Sequence, residues 1–291
     1  MTRREAPTQL RPLIVGAGGL VGRRLSDHFE NRHPHTVSAT RAELDVTDRW
    51  RIESELERLE PNLVINAAAI ADVDRCEREP DLAHRVNAEG PAHLAAACRN
   101  AGVRLIHLST DYVFDGQKGD EYDESDAPHP INVYGQSKLL GEMAVLETLV
   151  DAVVLRVSFL FGVGRKTFLD RLIGQAHRQS GPIEVVDSWV NKPTSTTEIA
   201  RLVERIAGED MTGLWHLANP PALSKAEFAR QLLTLIGENP GRVVPVPPHT
   251  LELDARRPPA TSLSTAQLEA RLGEEMKDWL ACAREYLGMD A

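Results

Sequence analysis

The stretch "LRPLIVGAGGLVGRRLSDHFENR", residues 10–32, limits the fold more than any other part of the chain. Its apolar run Leu13–Val15 is too short for a helix and stops at Gly16. Leu20, Val21, Leu25 and Phe29 then recur near helical spacing. The pattern reads as strand, tight turn, helix. Gly16, Gly19 and Gly22 are spaced G-x-x-G-x-x-G, with Gly18 as an extra. Glycine lets such a turn adopt positive φ, lets a pyrophosphate approach the backbone, and lets helix pack on strand. The helix N-terminus adds amide donors and a partial positive charge. A plain glycine-rich turn would share the composition, but the strand–turn–helix context favours a dinucleotide site.

The same alternation continues. "HTVSAT" is a second short strand, and "RWRIESELERLE" a charged helix stopped by Pro61. "NLVINAAAI" reads as a buried strand, and "DLAHRVNAEGPAHLAAACRNAG" as one helix with Gly102 as its C-cap. "VRLIHLST" is a strand, "SKLLGEMAVLETL" a helix and "AVVLRVSFLF" a strand. Strands alternating with helices predict an α/β fold, a Rossmann-type doubly wound parallel sheet with its site at the carboxyl ends of the strands. After Gly164 the rhythm loosens. A helix near Phe168–Gln179, the strand-like "IEVV" and the loop "DSWVNKPTST" come first. A helix near Thr197, the strand "LWHLAN" and a helix capped by Ser224 with Glu227 in the capping-box position follow. "VVPVPP" is extended, and two short helical pieces close the chain from "SLSTAQLEARLG" onward. Residues 1–164 therefore form the expected dinucleotide-binding domain. Residues 165–291 form mainly a smaller, interwoven C-terminal substrate-binding lobe, with some segments returning to the first domain.

Charge and cysteine content narrow the partners. A formal net charge of −10 argues against nucleic acid or an acidic membrane. No apolar run reaches the ~20 residues of a membrane span, and "MTRREAPTQLRP" lacks the apolar core of a secretory leader. Cys76, Cys98 and Cys282 fit neither a disulfide framework nor a zinc spacing, so reduced thiols in the cytoplasm are expected. The histidines show no metal-site clustering, and no metal is expected.

Several residues at the predicted strand ends carry chemistry. Thr40 and Arg41 end the second strand, where an acid would suit a free adenosine 2′-hydroxyl; a hydroxyl and a guanidinium suit a 2′-phosphate, so NADP is preferred and NAD kept as the alternative. Asp45 and Val46 can lie against the adenine, or Asp45 or Thr47 can cap the next helix. Ser109, Thr110 and Asp111 end the strand "VRLIHLST". Tyr134 and Lys138 stand four apart in "INVYGQSKLLGE", so on a helix they share a face. A free phenol titrates near ~10, and an adjacent ammonium is expected to lower that value. Thr110, Tyr134 and Lys138 could then align a carbonyl, transfer a proton and activate the donor, with the hydride coming from the cofactor. The acidic stretch "DGQKGDEYDESD" reads as a solvated loop, and Arg165, Lys166, Lys192, Arg256 and Arg257 as surface charges or diphosphate partners.

"VGAGGLVG", "INAAAIADVDRCEREPDLAHRVNAEGPAHLA", "LSTDYVFDG" and "NVYGQSKLLGE" together resemble the extended short-chain dehydrogenase/reductases, and within them the dTDP-4-dehydrorhamnose reductase family. "LWHLANPPALSKAEFARQL" and "RRPPATSLSTAQL" are similar to that family's C-terminal lobe, so the resemblance runs nearly end to end. It implies Thr110, Tyr134 and Lys138 as the catalytic set. It implies Gly19, Leu20 and Val21 at the pyrophosphate, Asp45 and Val46 at the adenine, Ala68, Ala69 and Ile70 along the cofactor, and Leu108 beneath the nicotinamide. Lys138 would also hold the nicotinamide ribose, and Thr110 and Asp111 would touch the sugar. The implied reaction is reduction of the C4 ketone of a nucleotide-linked 6-deoxy-4-ketohexose, a small-molecule substrate; a homodimer is compatible with it.

The chain departs from the family pattern in its second half. Phe159 stands where these reductases often carry a substrate-facing tryptophan, and "DSWVNKPT" replaces a shorter loop of the form D-x-x-G-x-P-T. Phe159 and Trp189 are therefore expected at the sugar, with Lys192 near its entrance. The same loop is similar to the regulatory beta subunit of methionine adenosyltransferase. An NADP-binding regulatory subunit is thus an alternative, as is a reductase or epimerase of a modified sugar in secondary metabolism.

Overall fold

The computed structural model describes residues 9–289; residues 1–8, within the segment read above as no secretory leader, lie outside the described residues. Strand β1 (Pro12–Val15) passes through the glycine turn into α1 (Leu20–Glu30). Then come β2 (Val37–Ala39), α2 (Arg49–Leu59) and β3 (Leu63–Asn66). Helices α3 (Val73–Arg78), α4 (Pro80–His84) and α5 (Gly90–Ala101) lead to β4 (Arg104–Thr110). Helix α6 (Val133–Thr148) leads to β5 (Val153–Val157). The second half contains β6 (Leu160–Phe161), α7 (Phe168–Arg178), β7 (Ile183–Val186), β8 (Val190–Asn191), β9 (Thr194–Ser195) and α8 (Thr196–Gly208). It continues with β10 (Gly213–Leu217), β11 (Leu223–Ser224), α9 (Lys225–Leu235), β12 (Val243–Val246), α10 (Ala266–Leu272) and α11 (Trp279–Leu287).

The main sheet has six parallel strands in the order β2-β1-β3-β4-β5-β10, the doubly wound arrangement expected. Its direction of winding reverses between β1 and β3, the place where such sheets bind ligands. The strands are apolar along their length because both faces are covered. Successive residues alternate faces: Ile14 packs with Leu25, Phe29, Ile199 and Leu202, whereas Leu13 and Val15 pack with Ile52, Leu56 and Leu94. A separate core of Phe161, Leu172, Phe228, Leu232 and Trp279 gathers helices and short strands of the second half. That half is woven into the first: β10 is an edge strand of the main sheet, and α8 and α10 supply Ile199, Val203, Leu268 and Leu272 to its core.

Four local expectations are corrected. "AVVLRVSFLF" is two strands, because Phe159 takes φ 38° and turns β6 away to pair with β9. "DLAHRVNAEGPAHLAAACRNAG" is interrupted by a π-helical turn at Arg85–Glu89, although Gly102 does close it in the left-handed conformation at φ 65°. Pro91 has no N–H for the helical ladder, and α6 approaches closely there: a Cβ on Gly141 would lie 2.2 Å from the Asn87 carbonyl oxygen. Asp48, not Asp45 or Thr47, caps α2 by accepting from the Arg51 amide. The acidic loop is anchored, since Tyr122 is buried, stacks on Phe114 at 4.1 Å, and bonds through its backbone to Ser262 and Ser264.

Candidate active site

The glycine turn is closed by backbone contact. Gly16 takes φ 85°, and a Cβ there would lie 2.5–2.8 Å from the Ala67–Ala68 backbone. A Cβ on Gly22 would lie 2.1 Å from the Gly16 carbonyl oxygen. Helix α1 starts at Gly19 with no side chain capping it and no acid in its first turn. An uncapped helix start beside a turn that excludes side chains fits a pyrophosphate.

At the end of β2 the expectation needs one amendment. Glu43 folds back so that its carboxylate accepts from both the Thr40 amide (2.7 Å) and the Thr40 hydroxyl (2.8 Å). An acid therefore does stand here, although three residues downstream of Thr40. Arg41 is mostly exposed and donates through Nε to Asp45 at 3.0 Å. The Asp45 carboxylate also accepts from the amide and hydroxyl of Thr47. These bonds and the Arg41 charge hold it below the usual carboxylate range, although its partial burial opposes them. Val46 is buried against Gly90.

The loop after β3 is fixed by two asparagines. Ala68 donates its amide to Asn66 Oδ1 at 3.0 Å, and Ile70 to Asn87 Oδ1 at 2.9 Å. Asn87, on the π-helical turn, donates in return to the Ile70 carbonyl and to Ser137 on α6. Ala68, Ala69 and Ile70 thus sit on a ledge clamped between β3 and α6. With its oxygen occupied by an amide, Asn66 must turn its NH₂ toward His107 Nδ1, 3.0 Å away. That makes Nδ1 an acceptor and assigns His107 the neutral Nε2–H tautomer.

Lys138 is 2% exposed and donates to the Leu108 carbonyl at 2.6 Å, with His107 Nε2 3.5 Å away. Two N–H-bearing groups face each other there, so the remaining Lys138 donors point elsewhere. Burial lowers the Lys138 pKa to about 8, against the opposing pull of Glu142 one helical turn later. Tyr134 rests edge-on against Tyr112, with ring centroids 5.7 Å apart, and its phenol lies near the Thr110 hydroxyl, which donates to Asp111. Burial pushes that phenol above its ordinary value; the nearby Thr110 hydroxyl opposes the rise, and Asp111 and Cys76 add to it. This corrects the expectation that Lys138 lowers Tyr134: its ammonium is held by the Leu108 carbonyl instead.

Asp111 is buried and its carboxylate accepts from Thr110 (3.1 Å), Ser158 (2.8 Å) and Thr261. It joins the ends of β4 and β5 to the C-terminal segment. Phe159 packs against Phe228 and Phe168, with ring centroids 5.0 and 5.8 Å away, and the Lys225 amine covers its face. Trp189 is half-buried, and its carbonyl accepts from the Lys225 amide at 3.2 Å. Of the basic candidates, Lys192 is buried and paired with Glu121 (2.8 Å), and Arg257 with Asp74 (2.7 Å). Arg165 donates to the Gly18 carbonyl at 3.1 Å, above the glycine turn.

Thr110, Asp111, Leu108, Tyr134 and Lys138 therefore meet at the carboxyl end of β4, with Phe159 and Trp189 linked to them through Lys225. Asn87, His107, Glu142, Arg156 and Lys225 also shape the site, and sequence reading gave them no role in it. For Glu142 a signal existed, since Tyr134, Lys138 and Glu142 repeat every four residues. Among the described residues, no group of His, Cys, Asp and Glu is placed to hold a metal, and no helix is long and apolar enough to cross a membrane.

Residues 10–289 match the model of the RmlD substrate binding domain. The chain is 36% identical over 281 residues to the dTDP-4-dehydrorhamnose reductase of Streptomyces griseus, covering 94% of this chain and 92% of that one. It is 34% identical over 254 residues to the dTDP-4-keto-6-deoxy-D-glucose reductase of Streptomyces niveus, covering 87% and 88%. Its structure matches the dTDP-4-dehydrorhamnose reductase of Bacillus anthracis str. Ames in complex with NADP, with a TM-score of 0.92, 28% identity, and 97% and 100% of the two chains covered.

Proposed function

The chain belongs to the RmlD family of dTDP-4-dehydrorhamnose reductases, and from that premise we propose that it uses NADPH to reduce the C4 ketone of a nucleotide-linked 6-deoxy-4-ketohexose. The observation that carries the reading is the meeting of Thr110, Tyr134 and Lys138 beside an uncapped, side-chain-free glycine turn. When bound at the glycine turn, NADPH would supply the hydride to the C4 carbon. Tyr134 gives its phenolic proton to the developing C4 oxygen, so ketone, hydride and proton become the secondary alcohol. The Thr110 hydroxyl holds that oxygen and the phenol in one line. Lys138, anchored on the Leu108 carbonyl, would direct its other donors to the ribose. Ala68 to Ile70 would border the cofactor, and Phe159 and Trp189 would meet the sugar. Buried Cys76, Cys98 and Cys282, all unpaired, suit a cytoplasmic enzyme.

The test is single-turnover oxidation of NADPH on a dTDP-4-keto-6-deoxyhexose that the unmodified chain reduces. Tyr134→Phe removes the proton donor and keeps the ring's packing against Tyr112. Reduction should fall by ~10²–10⁴-fold while NADPH affinity stays within twofold. Full activity of the Phe variant would remove Tyr134 from the chemistry. An unmodified chain that binds NADPH but reduces no ketosugar would point instead to a regulatory role.

A further inference from the structure

Lys225 is placed where stability alone would not put a lysine. It occupies the first turn of α9, whose amide dipoles disfavour a cation. Its amine donates to Asn191 Oδ1 at 2.8 Å and lies over the face of Phe159, 2.6 Å from the ring centroid. Burial pushes its pKa well down. The carboxylate that acts on it through space, Asp111, has its oxygens taken by three hydroxyls, those of Thr110, Ser158 and Thr261. Among the described residues, no carboxylate forms a direct ion pair with it. A half-buried amine of the wrong sign for its helix, with one hydrogen bond and donors to spare, is placed to meet a ligand. Its surroundings are Asp111 just after β4, Phe159 between β5 and β6, and Asn191 from β8.

We propose that Lys225 is a substrate-binding and specificity-determining residue that donates to a hydroxyl of the hexose ring. This rests on the reading of Phe159 and its surroundings as part of a nucleotide-sugar site. The acceptor is a sugar oxygen rather than the diphosphate, because the Phe159 ring and the Asn191 amide beside the amine are uncharged and suit a neutral, partly apolar hexose. Asn191 fixes the amine and Phe159 offers a flat surface to the ring's C–H face. Exchanging lysine for an apolar side chain should therefore weaken the sugar and spare the nucleotide.

The experiment compares dTDP-L-rhamnose with dTDP by calorimetric titration on the NADP-bound chain, for the unmodified protein, Lys225→Met and Lys225→Arg. The expected result is that Lys225→Met weakens dTDP-L-rhamnose about tenfold while dTDP and NADP affinities stay within twofold, and that Lys225→Arg recovers part of the loss. Unchanged dTDP-L-rhamnose affinity in the Met variant overturns the assignment. So does an equal loss for both ligands, which would mean a diphosphate contact or a distorted lobe, and so does an unmodified chain that binds dTDP-L-rhamnose no better than dTDP. Turnover is read separately. A chain that shows the expected binding split yet reduces no ketosugar keeps Lys225 in place and overturns the reductase reading alone.

Discussion

Arg156 and Glu142 form an ion pair with side chains only 3% and 2% exposed, between β5 and α6. The guanidinium donates from Nε to both carboxylate oxygens (3.0 and 3.2 Å) and from Nη2 to Oε2 (2.7 Å). It also lies over the Phe114 ring, 4.9 Å from the centroid. Arg156→Met keeps most of the stem's volume but leaves the Glu142 carboxylate buried with only the Ser109 hydroxyl. Breaking one side of such a pair costs ~3–5 kcal/mol. Against a typical total of ~5–15 kcal/mol, that is a large fraction, and at ~2–4 °C per kcal/mol it lowers Tm by roughly 10 °C.

Removing the second charge should restore stability. An apolar pair of similar volume is often neutral or stabilising, so Arg156→Met combined with Glu142→Met should recover to within ~1 kcal/mol of the unmodified chain. Urea denaturation followed by circular dichroism, without NADPH so that ligand binding does not mask the loss, measures all the variants. A single variant costing under ~1 kcal/mol, or a double variant no more stable than Arg156→Met, would refute the uncompensated-charge argument.

Two further perturbations test the cofactor site. Gly22→Ala sets a methyl 2.1 Å from the Gly16 carbonyl oxygen, which must open the turn; NADPH affinity should fall at least tenfold and stability by ~1–3 kcal/mol, and an alanine variant titrating like the unmodified chain would show that the turn relaxes freely. Arg41→Ala should reduce the preference for NADPH over NADH by about tenfold, within the ~1.5–3 kcal/mol of a charge-assisted bond after screening at this exposed site; competing calorimetric titrations of the two cofactors would contradict this if the ratio does not move.

Much of this architecture is legible in the sequence because it rests on local rules. Glycine spacing between a short apolar run and an amphipathic stretch gave β1, the turn and α1, and the Ser224–Glu227 capping box marked the start of α9. What stayed hidden depends on contacts between distant segments. The π-helical turn at Arg85–Glu89 follows from the close approach of Gly141 to Asn87, 54 positions apart. Lys225 carries no signal in the sequence until α9 is packed beside Phe159 and Asn191. "LWHLAN" reads as a strand, but only pairing with β5 shows that it extends the main sheet. The sign of the Tyr134 shift is hidden for the same reason: helical spacing predicts that Lys138 shares its face, not that the Leu108 carbonyl holds the ammonium.

That sign has a consequence for direction. On the proposed mechanism the ketone takes its proton from Tyr134, so a phenol kept protonated by burial is ready for reduction throughout the neutral range. Oxidation of the alcohol needs the phenolate and should be slow near neutrality. Lys138 sets the other limit. Its pKa of about 8 lies below the ordinary lysine value, so the ammonium proposed to hold the ribose is present below about pH 8 and lost above it. For folding, the lowered value means that the buried-ammonium penalty is relieved as pH rises from about 8 toward 10.5, so stability increases over that window. On the proposed mechanism, the reductive rate should be flat from pH 6 to about 8 and then decline, together with NADPH affinity, while the oxidative rate climbs over pH 6–8. Glu142→Met, in the stable double variant with Arg156→Met, removes a charge that favours the ammonium and should move the reductive decline to lower pH. Stopped-flow traces of both directions across this range decide the matter. An oxidative rate that is flat below pH 8 would mean that Tyr134 is already ionised there, and a reductive limit that stays fixed in the Glu142 variant would mean that Lys138 is not the group that sets it.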